Sequence, residues 1–427
     1  MMALEHTWSP EYQPASSDNT YRLLVGVLFV TAFFTLHINV IPALPGEYQP
    51  VLFFLLAALL FVNHFRHLPY FPVVAVLACL TVAFVINAFL GRVDLWTLVR
   101  CVVGPLFALV GAALIKDAPL GAFRAVLYGH AVFIVVAILA PDLLGTLTEE
   151  TGFRGGLTGF LASEPSYAAL NLAGVFALWS LRDARVISSK DGLLCIFALL
   201  FTQSVTGVFF AALFLLQFIS AKELPASKAI ALCVVVFLAG FVFPNLENYE
   251  ESDYLTEKFL NTLNLLGRGA SEGDLYTFLE INTSASWRVL TNVVASTGLL
   301  HAPFGTGTAE VDYLLSNFTL PPSITALMYR NEVFYSLERG VVAATPVFNY
   351  ITFGGFIAFV PLAVFLYFSM QRIARNAPTK TVAVVCLSYL LVGALWQTAL
   401  TSPTWWFLLG AGFWYLPSQA HVPRRAP

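Results

Sequence analysis

Arg154–Tyr167 reads RGGLTGFLASEPSY and lies where one long apolar stretch of the chain ends and the next begins. It brings together a guanidinium, the glycines Gly155, Gly156 and Gly159, a carboxylate and a proline. Pro165 fits the first position of a new helix, where its missing N–H costs nothing. Glu164 then falls at the cap, beside the positive end of the helix dipole. A fixed cation and a fixed anion on glycine-rich backbone at a membrane boundary suit an anionic, lipid-linked ligand. The plainer alternative is a capped helix with an interfacial arginine.

Outward from this stretch the chain is apolar almost throughout. Of 427 residues, 58% are hydrophobic and only 11% charged, with a mean hydropathy of +0.77, far too apolar for a soluble domain. The expected fold is therefore an all-α polytopic membrane protein. The first twenty residues are polar and acidic, so no cleavable signal peptide is expected and the first span directs insertion. The five cysteines, Cys79, Cys101, Cys195, Cys233 and Cys386, fall inside apolar runs without a C-x-x-C pair. They read as packing residues rather than a disulfide frame or metal site.

Apolar runs that approach or reach the roughly 17–25 residues of a membrane helix lie near 21–41, 49–62 (short), 71–90, 95–115, 121–141, 165–181, 227–244, 346–369, 379–399 and 403–417. The block 191–220 is too long for one span and short for two. Its interruption at Thr202, Ser204, Thr206 and Gly207 predicts two short helices meeting at a polar tip. Arg182, Arg185 and Lys190 precede the block and Lys222 and Lys228 follow it, which puts both flanks on the cytoplasmic side. Arg66, Lys116, Arg124, Arg372, Arg375, Lys380, Arg424 and Arg425 share that side if the N-terminus is cytoplasmic. About twelve helices result, with both termini inside, and no internal repeat supports an inverted-repeat transporter. The chain divides into a first bundle, 1–244, a long outer loop, 245–345, and closing helices, 346–427.

The outer loop carries twelve acidic residues and five basic ones, a balance of −7. Helical patterning recurs in it at about 253–267 and 284–300. In the second, Trp287, Leu290 and Val294 share a face and Arg288 stands in the first turn. That helix is expected to end before HAPFGTG, where Pro303, Gly305 and Gly307 impose a tight turn.

Arg154 and Arg288 are the leading anion-binding candidates, because guanidinium stays charged and binds phosphate oxygens bidentately. Arg100, an ionisable residue in an apolar segment near its outer end, is another, though its side chain is long enough to snorkel to the interface. His301 can serve as a base or proton shuttle near neutral pH. Glu164 is a second candidate base, with the helix dipole and desolvation pulling its proton affinity in opposite directions. The chain has no D-x-D metal motif, no Walker A motif and no dinucleotide fingerprint, so cytosolic nucleotide chemistry is unsupported. The spacings Glu251-x-Asp253, Glu272-x-Asp274 and Glu310-x-Asp312 are what an acidic loop makes by chance.

Three stretches, taken in order, resemble one family. FRGGLTGFLASEPSYAAL (153–170) resembles the arginine, glycine and EPS signature of bacterial O-antigen and exopolysaccharide polymerases of the Wzy type. LLFTQSVTGVFFAAL (199–213) resembles the helix pair that follows it, and SASWRVLTNVVASTGLLHAPFGTG (284–307) the arginine helix and glycine turn of the long loop shared by polymerases and O-antigen ligases. Val205 departs from the pattern, standing where an arginine is common. The resemblance implies a GT-C-like glycosyltransferase in the bacterial inner membrane with its site facing the periplasm, acting on undecaprenyl-diphosphate-linked glycans as donor and acceptor. It implies no cofactor or metal, and a chain-length regulator in the membrane as partner. Arg154, Arg288, Arg100 and Arg339 would then bind the diphosphate and Glu164 or His301 serve as base. Gly159, Pro165, Ser166, Tyr167, Ser204, Gly207, Gly305 and Gly307 carry the motifs. A ligase with a lipid A-core acceptor and a flippase without bond chemistry remain as alternatives.

Overall fold

The structure, a computed structural model, describes residues 19–34, 51–68, 70–93, 95–139, 165–202, 204–220, 292, 295–296, 302–307, 345–396 and 402–420. Among these residues the chain is helical and contains no strand. The helices are α1 Asn19–Phe34, α2 Val51–His64, α3 Tyr70–Phe89, α4 Leu95–Asp117, α5 Leu120–Leu139, α6 Pro165–Arg182, α7 Lys190–Phe201, α8 Val205–Ser220, α9 Pro346–Asn376, α10 Lys380–Leu395 and α11 Pro403–Ala420. Tyr70–Phe89, Thr97–Asp117 and Pro346–Asn376 are long and apolar enough to cross a membrane, and five further apolar helices are shorter. At 1.5 Å per residue the sixteen of α1 reach about 24 Å, against roughly 30 Å of hydrocarbon. Large apolar side chains point outward, Phe71, Phe89, Val62 and Leu23 among them. In water such a surface would aggregate, whereas lipid accommodates it.

The bundle is centred on α4, which makes its most extensive contacts with α11. These helices lie close because small residues face each other, as expected where lipid already solvates apolar side chains and only close packing draws helices together. A Cβ on Gly410 would stand 1.8 Å from the Ala108 carbonyl oxygen, and one on Gly111 2.2 Å from that of Phe407. Phe53, Phe107 and Phe407 fill the adjoining space.

The predicted break in 191–220 falls at 202–204. Ser204 makes it: its hydroxyl accepts from the Gly207 N–H at 2.9 Å and starts α8, while Thr202 donates to the Leu199 carbonyl at 2.7 Å. α7 and α8 pack on each other as a hairpin. The expected 346–369 span is longer, continuing to Asn376, and it is broken at Gly355, whose φ of 57° and ψ of −151° lie outside the helical region.

Charged and phenolic side chains join the ends that the positive-inside rule assigns to the cytoplasm. Asp117, at the end of α4, accepts from the Tyr21 hydroxyl of α1 at 2.8 Å and lies 2.5 Å from the Nε2 of His64 in α2. Asp191, the second residue of α7, accepts from Arg124 at 2.9 Å and from Tyr128 at 2.8 Å, both on α5. Arg372 of α9 donates to the Phe413 carbonyl of α11 and covers that ring. In the short loop after α6, the Arg185 guanidinium holds the Asp183 carboxyl below the usual carboxylate range.

Candidate functional site

Uncharged groups make several of the described ties at the opposite ends of the helices. Pro105, inside α4, has no N–H to give the carbonyl of Cys101 four residues earlier. The Tyr350 hydroxyl of α9 fills that role, donating to the Cys101 oxygen at 2.6 Å. The half-buried Arg100 adjoins this link, so the outer turn of α4 and the first part of α9 are held together beside a cation.

At Gly355 the helical ladder of α9 is interrupted, and the segment Ala302–Gly307 supplies what it lacks. The N–H groups of Thr306 and Gly307 donate to the Thr352 and Phe353 carbonyls at 2.8 and 3.1 Å, and the Phe356 N–H donates to the Pro303 carbonyl at 2.8 Å. The Thr306 hydroxyl also reaches the Thr352 oxygen, at 3.0 Å. Unsatisfied backbone at this depth is costly, so the broken helix and the turn need each other. Gly305, Gly307 and Gly355 all have positive φ, and a Cβ on Gly355 would stand 2.1 Å from the Pro303 oxygen. Asn87, near the end of α3, closes the joint by donating to the Phe304 carbonyl at 2.9 Å as well as to Ala83 in its own helix.

A second tie lies over α10. Residues 292, 295 and 296, within the predicted arginine helix, are helical. Asn292 donates to the carbonyl of Leu395, the last residue of α10, at 3.1 Å, and Ala295 is fully buried. α10 runs antiparallel to α6, because the Cys386 thiol meets the Ala177 carbonyl and Tyr389 packs against Gly174. Six residues on from Tyr389 and six back from Gly174, about 9 Å at the helical rise, are Leu395 and Ala168. The Asn292 tie is therefore level with the first turn of α6, which carries the half-buried Ser166 and Tyr167.

Of the residues singled out in the sequence, Arg100, Ser166, Tyr167, Gly305 and Gly307 belong to this outer end. Pro165 begins α6. Ser204 and Gly207 lie at the tip of the α7–α8 hairpin. Arg154, Gly159, Glu164, Arg288, His301 and Arg339 lie outside the described residues, as does the 253–267 segment. The sequence reading missed Asn87, Tyr350, Asn292 and Gly355. Gly354–Gly355 within an apolar run was the available signal for the last; an asparagine in an apolar span signals burial but not its partner. Among the described residues, no three of His, Cys, Asp or Glu gather as a metal site would require.

No family model, no curated protein and no solved structure matches this chain.

Proposed function

We propose that the protein is a GT-C-like glycosyltransferase of about twelve spans that polymerises undecaprenyl-diphosphate-linked repeat units at the periplasmic face of the bacterial inner membrane, forming O-antigen or exopolysaccharide. The observation that carries the reading is the joint between Ala302–Gly307 and the break at Gly355. It anchors the loop whose sequence resembles that of polymerases and ligases, at the bundle end that holds Arg100 and the start of α6 and lies opposite the Asp117 and Asp191 clusters.

In this reading a hydroxyl of the acceptor sugar attacks the anomeric carbon of the donor. The new carbon–oxygen bond replaces the one to the diphosphate, which leaves as undecaprenyl diphosphate. The hydroxyl proton passes to Glu164 or His301. Arg154, Arg288, Arg100 and Arg339 offset the charge gathering on the leaving group, and the planar guanidinium fork makes lysine an inadequate substitute. Arg288→Lys and Arg288→Ala should therefore both lose activity while inserting at normal levels. Full activity in either removes Arg288 from the site. Near-normal turnover in Glu164→Gln reduces Glu164 to a helix cap.

A deletion strain tests the function. Loss of a polymerase leaves surface glycan with a single repeat unit, since export and transfer continue. Long chains held on undecaprenyl diphosphate would instead identify a ligase, and single units trapped on the inner leaflet a flippase. Gel electrophoresis of surface glycan with analysis of the lipid-linked pool separates the three.

A further inference from the structure

We infer that Asn87 and Asn292 are positioning residues, which set the outer segment between them in place over the membrane bundle and so aim the reacting groups of the transferase. The inference rests on the reading above, in which Arg288 binds the diphosphate and His301 is a candidate base. Each of those residues is joined in sequence to one of the two ties. Arg288 precedes Asn292 by four residues in the sequence, and His301 is bonded directly to Ala302, where the docked turn begins.

The ties reach different parts of the bundle. Asn87 fixes the Phe304 carbonyl to α3, and the turn that holds Phe304 is hydrogen-bonded to α9, which Tyr350 joins to α4 beside Arg100. Asn292 fixes its segment to the end of α10, level with the first turn of α6. The 302–307 turn is thus tied to α3 and α9, and Asn292 to the end of α10. On that reading, groups adjoining the two ties in sequence are aimed only while both ties hold. Misplacement by about 1 Å can cost on the order of a hundredfold in rate.

Both ties are amide donations to a carbonyl, so the amide N–H rather than side-chain bulk should be essential. Asn87 is fully buried, and its Oδ1 has no hydrogen-bond partner among the described residues. Its amide nitrogen, by contrast, serves two acceptors. A role confined to filling space would not call for an asparagine in an apolar helix.

The experiment compares Asn87→Leu, Asn87→Asp, Asn292→Leu and Asn292→Asp with the parent in membranes supplied with a synthetic undecaprenyl-diphosphate repeat unit. Each variant is expected to lower kcat at least tenfold, with KM changed less than threefold and the protein present at the parental level. A Ser296→Cys reporter, at an exposed position, should react faster with a membrane-impermeant maleimide once Asn292 is replaced, because the segment lifts from α10. Where a leucine variant fails to accumulate, the aspartate variant decides: it keeps the shape while a carboxyl group replaces the amide donor, and the protein level reads any cost of that group to folding. Parental kcat in the Asp variants, or unchanged labelling of the Ser296→Cys reporter when Asn292→Asp is added, overturns the inference. The larger reading is tested separately by Arg288→Ala: if that variant is inactive while the asparagine variants are normal, the transferase stands and the positioning role falls. If Arg288→Ala is active, the reading itself fails.

Discussion

The two ends of the bundle are fastened by different chemistry. At the inner end, carboxylates gather donors from neighbouring helices: Asp117 takes Tyr21 and His64, and Asp191 takes Arg124 and Tyr128. At the opposite end, which the positive-inside rule makes the outer one, the described ties of Asn87, Asn292, Tyr350 and the 302–307 turn run between uncharged groups. An inner carboxylate surrounded by its partners is a structural clamp. On the proposed reading, neutral fastening at this end holds the helices without adding carboxylates that would repel an anionic ligand.

The largest effect should come from breaking the outer joint. Gly355→Ala forces a side chain into a positive-φ, extended-ψ conformation that glycine alone adopts readily, costing about 1–3 kcal/mol, and places its Cβ 2.1 Å from the Pro303 oxygen. The turn cannot then stay docked, and several backbone hydrogen bonds are lost together. We expect little folded protein after detergent extraction, read by size-exclusion chromatography. A normal profile with full activity would show that the joint is dispensable.

Next in size is the inner clamp. Asp117→Ala leaves the buried His64 without its carboxylate and Tyr21 without its acceptor. Leaving a buried hydrogen-bonding group without its partner costs about 1–3 kcal/mol, and here two groups, on α1 and α2, lose the same carboxylate. The thermal midpoint in detergent should fall, while on the proposed transferase reading KM for a lipid-linked donor stays unchanged. A selective rise in KM would give Asp117 a role at the site and undo the contrast between the two ends.

Tyr350→Phe sharpens the comparison more gently. It removes one hydroxyl and leaves the Cys101 carbonyl, already deprived of a helical donor by Pro105, without its Tyr350 bond. A loss of about 1–3 kcal/mol is expected, together with reduced activity, since Arg100 adjoins the freed carbonyl. An unchanged midpoint would indicate that water replaces the phenol.

The smallest effect belongs to Arg185→Ala. Arg185 is exposed and pairs with Asp183 inside one loop, and such pairs contribute little. The Asp183 carboxyl is held low, so any contribution is present above the ordinary carboxylate range and disappears as the pH falls through the lower folded value. Midpoints of parent and variant should coincide at pH 7; a clear drop in the variant would make this loop part of the inner clamp.

Local sequence determined the elements whose cause lies in neighbouring residues. Hydropathy alone marked the apolar helices, Pro165 marked the start of α6, the Thr202–Gly207 stretch marked the hairpin tip, and Pro303, Gly305 and Gly307 marked a turn. Each follows from burial of contiguous apolar side chains or from φ/ψ preferences of single residues. Tertiary structure decided how the pieces close. That Gly355 breaks α9 where the turn docks, that Tyr350 serves the carbonyl orphaned by Pro105, and that Asn87 and Asn292 hold the outer segment all join residues far apart in the chain. A backbone group freed by a proline or a glycine states locally that a partner is needed. Which partner satisfies it depends on how the helices pack, and no local pattern carries that.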